Sequence, residues 1–274
     1  MRLDGKTVLL TGATGGLGRA ISMAIAERGA TLVLSARKED ELAELAASLP
    51  GDGHRTAVAD LAVDGAGERL AAEAGEVDAL VANAGLSGTG RLEDFTEDQL
   101  RHTLRVNLEA PIRMARMLAP RMVERGEGHL LFIASLAGKA ASPRSSLYNA
   151  TKFGLRGFAL ALRTDLAPGG VGVSVVSPGF VREAGLFARS GASDGGLGTT
   201  TPARVAAAVV SAIERNRAEV AVAPLRQRAM AHIALATPGL SARVQSGGRA
   251  QRIAGGVDAG HRASATAGRG PSES

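Results

Sequence analysis

The chain has 274 residues, 45% of them hydrophobic, and no cysteine, which suits a folded core and excludes disulfides, thiolate metal sites and a cysteine nucleophile. Its net charge of +5 lies after residue 225, where seven arginines face Asp258 and Glu273; the preceding 225 residues carry 25 basic and 25 acidic side chains. With the basic bias confined to the tail and only Tyr148 and six phenylalanines for stacking, no nucleic-acid partner is expected; no apolar run approaches the roughly 20 residues that span a bilayer, and no signal-peptide core precedes the first motif, so a cytoplasmic protein without stable membrane insertion is expected.

Short runs rich in Val, Leu and Ala predict strands at Thr7–Thr11, Thr31–Ala36, Thr56–Asp60, Val77–Ala82, His129–Ser135, Gly172–Ser177 and Glu219–Ala223. Most are continuous rather than alternating, the pattern of parallel strands buried on both faces. Helical patterns lie between them near 17–28, 39–49, 63–75, 96–125, 146–167 and 202–215. This alternation predicts an α/β fold: a doubly wound parallel sheet of about seven strands with helices on both faces, forming one domain over 1–225. The Gly-rich segment 179–201 has little period and is long for such a connection, so it reads as a lid or binding loop. Residues 226–240 read as a short docking helix or extension, and the Gly/Ala/Ser/Arg-rich 241–274 as a mostly disordered tail.

Thr11-Gly12-Ala13-Thr14-Gly15-Gly16-Leu17-Gly18 follows the first strand and opens a helix. Glycines there allow a tight turn and close backbone approach to a pyrophosphate, while the helix start offers free N–H groups and the positive end of its dipole. This octad resembles the TGxxxGxG signature of short-chain dehydrogenases/reductases through Thr11, Gly12, Gly16 and Gly18; it also satisfies TGxxGxxG, the mark of the larger epimerase-like branch. The resemblance implies a Rossmann-type dinucleotide site, with Thr14 and Leu17 among its cofactor-binding residues. At the end of the second strand Ala36 stands where an acid would select NAD, and Arg37 and Lys38 follow, able to pair with a 2′-phosphate; NADP(H) is therefore expected over NAD(H). By the same resemblance Asp60, with Leu61 after it, meets the adenine, Asn83-Ala84-Gly85 lies against the cofactor, and the Pro178-Gly179 turn, with Val181, lies beneath the nicotinamide.

Tyr148 and Lys152 are four residues apart on a predicted helix and share a face. A phenol of pKa about 10 is a poor base, and lowering it to near neutrality takes roughly 4 kcal/mol. A positive charge about 4 Å away supplies about that much at an effective dielectric near 20. Ser135 ends the fifth strand thirteen residues earlier, at the sheet edge where such folds bind ligands. Asn107 precedes Pro111, which has no N–H to return to the Asn107 carbonyl. The resemblance makes Asn107, Ser135, Tyr148 and Lys152 the catalytic set: Tyr148 exchanges the proton, Lys152 binds the nicotinamide ribose, Ser135 positions the substrate oxygen and Asn107 holds a relay water. Glu183 departs from the family pattern, standing where a threonine often contacts the carboxamide.

The single-domain length, Asn83-Ala84-Gly85 and Pro178-Gly179 favour the shorter reductase branch over the epimerase branch. The implied protein is an NADP(H)-dependent oxidoreductase acting on a small-molecule carbonyl or secondary alcohol, as a homodimer or homotetramer. The alternative is a non-catalytic NADP(H)-binding redox-sensing protein on the same fold. Expected substrate walls are 86–90, 136–147 and 180–197, with Lys139, Arg144 and Arg182 near the edges. The five histidines are scattered without ligand spacing, so no metal site is expected, and Glu93-Asp94 with Glu97-Asp98 reads as capping at a helix start.

Overall fold

Val8 and Leu10 of the first strand are buried in one core and Leu9 in another, which is why the run between them needs no polar alternation. The computed structural model describes residues 1–191, 193–248 and 254–259. Its elements run β1 (Thr7–Thr11), α1 (Gly16–Ala26), β2 (Thr31–Ala36), α2 (Glu39–Ser48), β3 (Arg55–Val58), α3 (Ala66–Ala74), β4 (Ala79–Ala82), α4 (Glu97–Leu104), α5 (Ala110–Arg125) and β5 (Gly128–Ile133). They continue α6 (Ser146–Leu166), β6 (Val171–Pro178), α7 (Gly185–Ser190), α8 (Pro202–Glu214), β7 (Glu219–Val222), α9 (Leu225–Ala236) and α10 (Pro238–Gln245). The strands form one parallel sheet in the order β3-β2-β1-β4-β5-β6-β7. Ile21, Leu42, Val209 and Ile213 of α1, α2 and α8 cover one face; Leu70, Met114, Leu118 and Leu155 of α3, α5 and α6 cover the other. Among the described residues no helix is long and apolar enough to cross a membrane.

The order reverses between β1 and β4, so the connections leaving their carboxyl ends diverge and open a crevice, the usual ligand position in open α/β sheets. The loops after β1, β4, β5 and β6 meet at that edge, and they carry Gly12, Asn83, Ser135 and Gly179.

Several local expectations are corrected. β3 stops at Val58, because Asp60 turns the chain: its carboxylate accepts from Ala62 N at 3.0 Å. The helix expected over 96–125 is α4 and α5 joined by a π-helical turn, Arg105–Glu109, where Ala110 N–H reaches five residues back to the Arg105 carbonyl just before Pro111. The start of α4 is a capping box, Thr96 with Gln99, with Glu97 and Asp98 in the first turn. Within 179–201, α7 replaces part of the expected irregular loop; Phe187 stacks on Phe180 at 4.4 Å and Val181 bridges Thr200. α10 carries helix to Gln245, into the stretch expected to be disordered from 241, and 254–259 are helical too; 249–253 and 260–274 lie outside the described residues. Asp258 gives the tail its anchor, since it is 3% exposed and ion-paired to Arg144 at 3.0 Å.

Lys139 also departs from expectation. Rather than edging a substrate pocket, it is buried and paired with Glu219 of β7 at 3.1 Å, while Arg156 grips the same carboxylate at 2.8 and 3.0 Å. Burial pushes the Glu219 carboxyl up, but Arg156 and Lys139 outweigh it and hold the group below its ordinary 4.5. The stability that Glu219 contributes is thus complete above that value and is lost as the pH falls through the lower folded-state pKa. Glu219→Gln should cost roughly 3 kcal/mol near neutral pH, the scale of a broken buried pair, and wild type and variant should converge in acid. Urea denaturation across that range measures it; a constant gap at every pH would contradict the assignment.

Candidate active site

The loop after β1 is shaped by what cannot fit there. Gly12 takes φ +65°, and a Cβ on it would stand 2.9 Å from Ala84 Cα. A Cβ on Gly18 would run into the Gly12 carbonyl oxygen and stand 2.5 Å from that of Ala13, so α1 packs against its own entry loop. The first turn of α1 has no acidic residue and its cap, Gly15, makes no side-chain capping bond. The helix therefore presents N–H groups and positive dipole to the crevice. Thr11 is buried beneath: its hydroxyl accepts from Asn83 N and Ala84 N, both at 3.1 Å, and the Asn83 amide donates to the Thr11 and Gly12 carbonyls at 3.0 and 3.1 Å. The ends of β1 and β4 are thereby locked together.

A cavity of about 1620 Å³ opens from this loop. Its walls include Thr14, Gly16, Leu17, Arg37, Lys38, Asp60, Leu61, Gly85, Pro178 and Val181, together with Ser135, Tyr148 and Lys152. Arg37 is exposed and has no ion pair among the described residues, whereas Lys38 is held by Glu41 at 2.6 Å. Glu183 lines the cavity at φ +68° and pairs with Arg182 at 3.3 Å.

α6 carries Tyr148 and Lys152 on one face. Lys152 is 4% exposed, donates to the Ile133 carbonyl at 3.0 Å and sits 5.7 Å from the centre of the Tyr148 ring. Burial lowers its pKa to about 8. Burial raises the Tyr148 phenol to about 12, with a hydrogen bond to Ser135 opposing it. Desolvation penalises the phenolate and the ammonium alike, and the ammonium is directed at a backbone carbonyl.

Asn107 does not line the cavity. It lies behind it, wholly buried in the π turn, and clamps Leu86 from both sides: Oδ1 accepts from Leu86 N at 2.7 Å and Nδ2 donates to Leu86 O at 2.9 Å. Nδ2 also reaches Thr151 Oγ1 at 3.3 Å, and that hydroxyl donates to the Tyr148 carbonyl at 2.8 Å. The residue thus supports the helix turn that bears the phenol.

Sequence reasoning missed three supports. Asn149 accepts from Ser142 N and donates to the carbonyls of Ala137 and Ala140, shaping the wall before α6. Gln227 of α9 is buried, accepts from Phe180 N at 3.3 Å and donates to the Gly198 carbonyl. The third is the wall at Ala254 and Val257, in the stretch expected to be disordered, which lines the cavity beside Met230 and Leu240 of the expected docking segment. The signal for the last was present: Asp258 is one of two acids in an otherwise basic tail.

Residues 6–195 match the family model described as short chain dehydrogenase. The chain is 37% identical over 231 residues to "Ketoacyl reductase HetN" of Nostoc sp. (strain PCC 7120), covering 80% of this chain and 79% of that protein. Its fold is similar to that of the short-chain dehydrogenase from Sphingobium yanoikuyae in complex with NADPH, with TM-score 0.74, 28% identity and coverage of 88% and 94% of the two chains. It is similar too to the 3-ketoacyl-(acyl-carrier-protein) reductase from Brucella melitensis complexed with NADH, with TM-score 0.73, 25% identity and coverage of 82% and 99%.

Asn107→Ala leaves the part-buried N–H and C=O of Leu86 without their side-chain partner. The expected loss of stability is about 1–3 kcal/mol, read from the urea midpoint. An unchanged midpoint would show that the clamp is dispensable.

Proposed function

The chain belongs to the short-chain dehydrogenase/reductase family of oxidoreductases, and on that basis we propose that it transfers a hydride between NADP(H) and a carbonyl or secondary alcohol, with Tyr148 as proton donor and acceptor. The observation that carries this reading is one cavity holding both a phosphate cradle and the Ser135–Tyr148–Lys152 cluster. The crowding around Gly12 and Gly18 and the uncapped start of α1 fit a dinucleotide pyrophosphate. Thr14, Gly16, Leu17, Asp60, Leu61, Asn83, Ala84, Gly85, Pro178, Gly179 and Val181 would hold the rest of the group. Arg37 would read a 2′-phosphate, and Lys38, occupied by Glu41, would contribute less. The bound dinucleotide supplies or accepts the hydride.

The protein's own residues manage the proton. A phenol raised to about 12 stays protonated through neutrality and is ready to donate to a carbonyl oxygen. Ser135, whose hydroxyl opposes the rise of that phenol, holds the substrate oxygen beside it. Lys152 places a positive charge near the phenol and binds the nicotinamide ribose. Asn107 holds a relay water behind it, as the resemblance implies. A homodimer or homotetramer is part of the same reading, and the partly exposed Met117, Val123 and Phe153 on α5 and α6 support it; sedimentation equilibrium tests it.

Tyr148→Phe keeps the ring and removes the phenol. Turnover with a reducible ketone should fall by about 10² to 10⁴, with NADPH affinity little changed. Near-normal turnover would remove Tyr148 from the mechanism.

Arg37→Asp should weaken NADPH binding roughly 10- to 100-fold, the worth of a charge-assisted hydrogen bond, and leave NADH binding little changed or improved. Equal losses for both would show that Arg37 does not read the phosphate.

The Lys152 ammonium is present below its pKa of about 8 and is lost as the pH rises through it. Reduction should accordingly be flat through neutrality and decline above about 8. A profile that stays flat well above that value would contradict the role given to Lys152.

A further inference from the structure

The tail beyond β7 is basic, and the acid it buries is Asp258. Its carboxylate takes the Arg144 guanidinium at 3.0 Å. Arg144 sits at φ +53°, a conformation uncommon outside glycine, so the surrounding contacts hold it there. Its carbonyl accepts from Gly90 N at 2.7 Å, and two residues earlier the Gly88 carbonyl accepts from Tyr148 N at 3.2 Å. Asp258 Oδ1 lies 3.6 Å from where a Cβ on Gly90 would stand. Three stretches, 88–90, 144–148 and 254–259, are therefore joined at Arg144, four residues before the phenol.

The residues carried into place by this joint are apolar. Ala254 and Val257 line the cavity together with Leu136, Phe187, Met230 and Leu240. At about 1620 Å³ the cavity exceeds the roughly 300–1,000 Å³ of an ordinary ligand pocket, leaving room for a second sizeable molecule beside a dinucleotide. Each methylene buried against such walls strengthens binding about fourfold.

We infer that Asp258 is a specificity-determining residue: its ion pair with Arg144 fastens residues 254–259 as the outer wall of the substrate chamber, and the chamber so closed takes carbonyl compounds bearing a long apolar chain. The substrate class rests on the reading under Proposed function; the fastening rests on the ion pair. Asp258 acts by positioning the wall and does not touch the reacting atoms.

The test compares decan-2-one with butan-2-one, which share the reacting group and differ in chain length. Wild type should show a KM at least 100-fold lower for decan-2-one. Asp258→Asn should raise that KM about tenfold and leave the KM for butan-2-one, kcat and NADPH affinity unchanged. The exchanged pair Asp258→Arg with Arg144→Asp should restore the preference, since aspartate tolerates positive φ. Calorimetric titration of decan-2-one into the protein saturated with NADP⁺ reads the same chamber without turnover, and Asp258→Asn should weaken that binding about tenfold. Equal KM values for the two ketones, an Asp258→Asn effect shared by both ketones and NADPH, or failure of the exchanged pair to restore would overturn the inference while leaving ketone reduction standing. Tight calorimetric binding weakened by Asp258→Asn, without reduction of either ketone, would sink the proposed function and leave the chamber standing.

Discussion

Lys152 carries its ammonium to a place where it is 4% exposed, beside the half-buried Tyr148 phenol on the cavity wall. Taking an ammonium out of water costs several kcal/mol, and the Ile133 carbonyl at 3.0 Å offsets part of it. Desolvation acts on both groups by penalising their charged forms. It draws the lysine down to about 8 and drives the phenol up to about 12, so the ordinary order of the two pKa values is inverted. The resting site is therefore a protonated phenol beside an ammonium whose proton is held less firmly than usual. On the proposed reading, such a site gives a proton to a developing alkoxide.

The surroundings of this pair read as devices for holding it. Close packing puts the short turn after Ser135 against α6: a Cβ on Gly138 would stand 2.6 Å from the Lys152 carbonyl oxygen. Asn149 ties residues 137–142 to the first turn of α6. Asn107 and Thr151 brace that turn from behind, through a helix whose π turn puts the Asn107 amide in reach of Leu86. Thr11-Gly12 and Asn83-Ala84 lock β1 to β4 with four hydrogen bonds. The glycine loop and the Ser135–Tyr148–Lys152 cluster thus stand on separate supports that meet at the carboxyl edge of one sheet.

Much of this was legible in the sequence because it rests on local chemistry. Continuous apolar runs marked strands buried on both faces, the glycine octad marked a backbone crowded at Gly12 and Gly18, and the four-residue spacing of Tyr148 and Lys152 marked one helix face. Pro111 signalled a disturbed helix beside Asn107, though not that the disturbance would be a π turn. What was not legible depends on long-range pairing or on environment. The direction of the phenol's shift follows from burial, which the motif does not encode. Lys139 looked like a pocket residue until Glu219, eighty positions later, claimed it. The tail looked structureless because its composition is poor in apolar periodicity, yet one acid among its arginines anchors residues 254–259 to Arg144.

The central claim is that this cavity moves a hydride to a carbonyl carbon while Tyr148 supplies the proton to its oxygen. The most direct measurement follows the label from NADPH deuterated at the transferring position of C4, in turnover with a panel of apolar ketones, with the alcohol analysed by NMR and mass spectrometry. The account predicts a single deuterium on the carbinol carbon, in one configuration, from wild type and essentially none from Tyr148→Phe. Oxidation of NADPH without labelled alcohol, or equal labelling by both proteins, would contradict it.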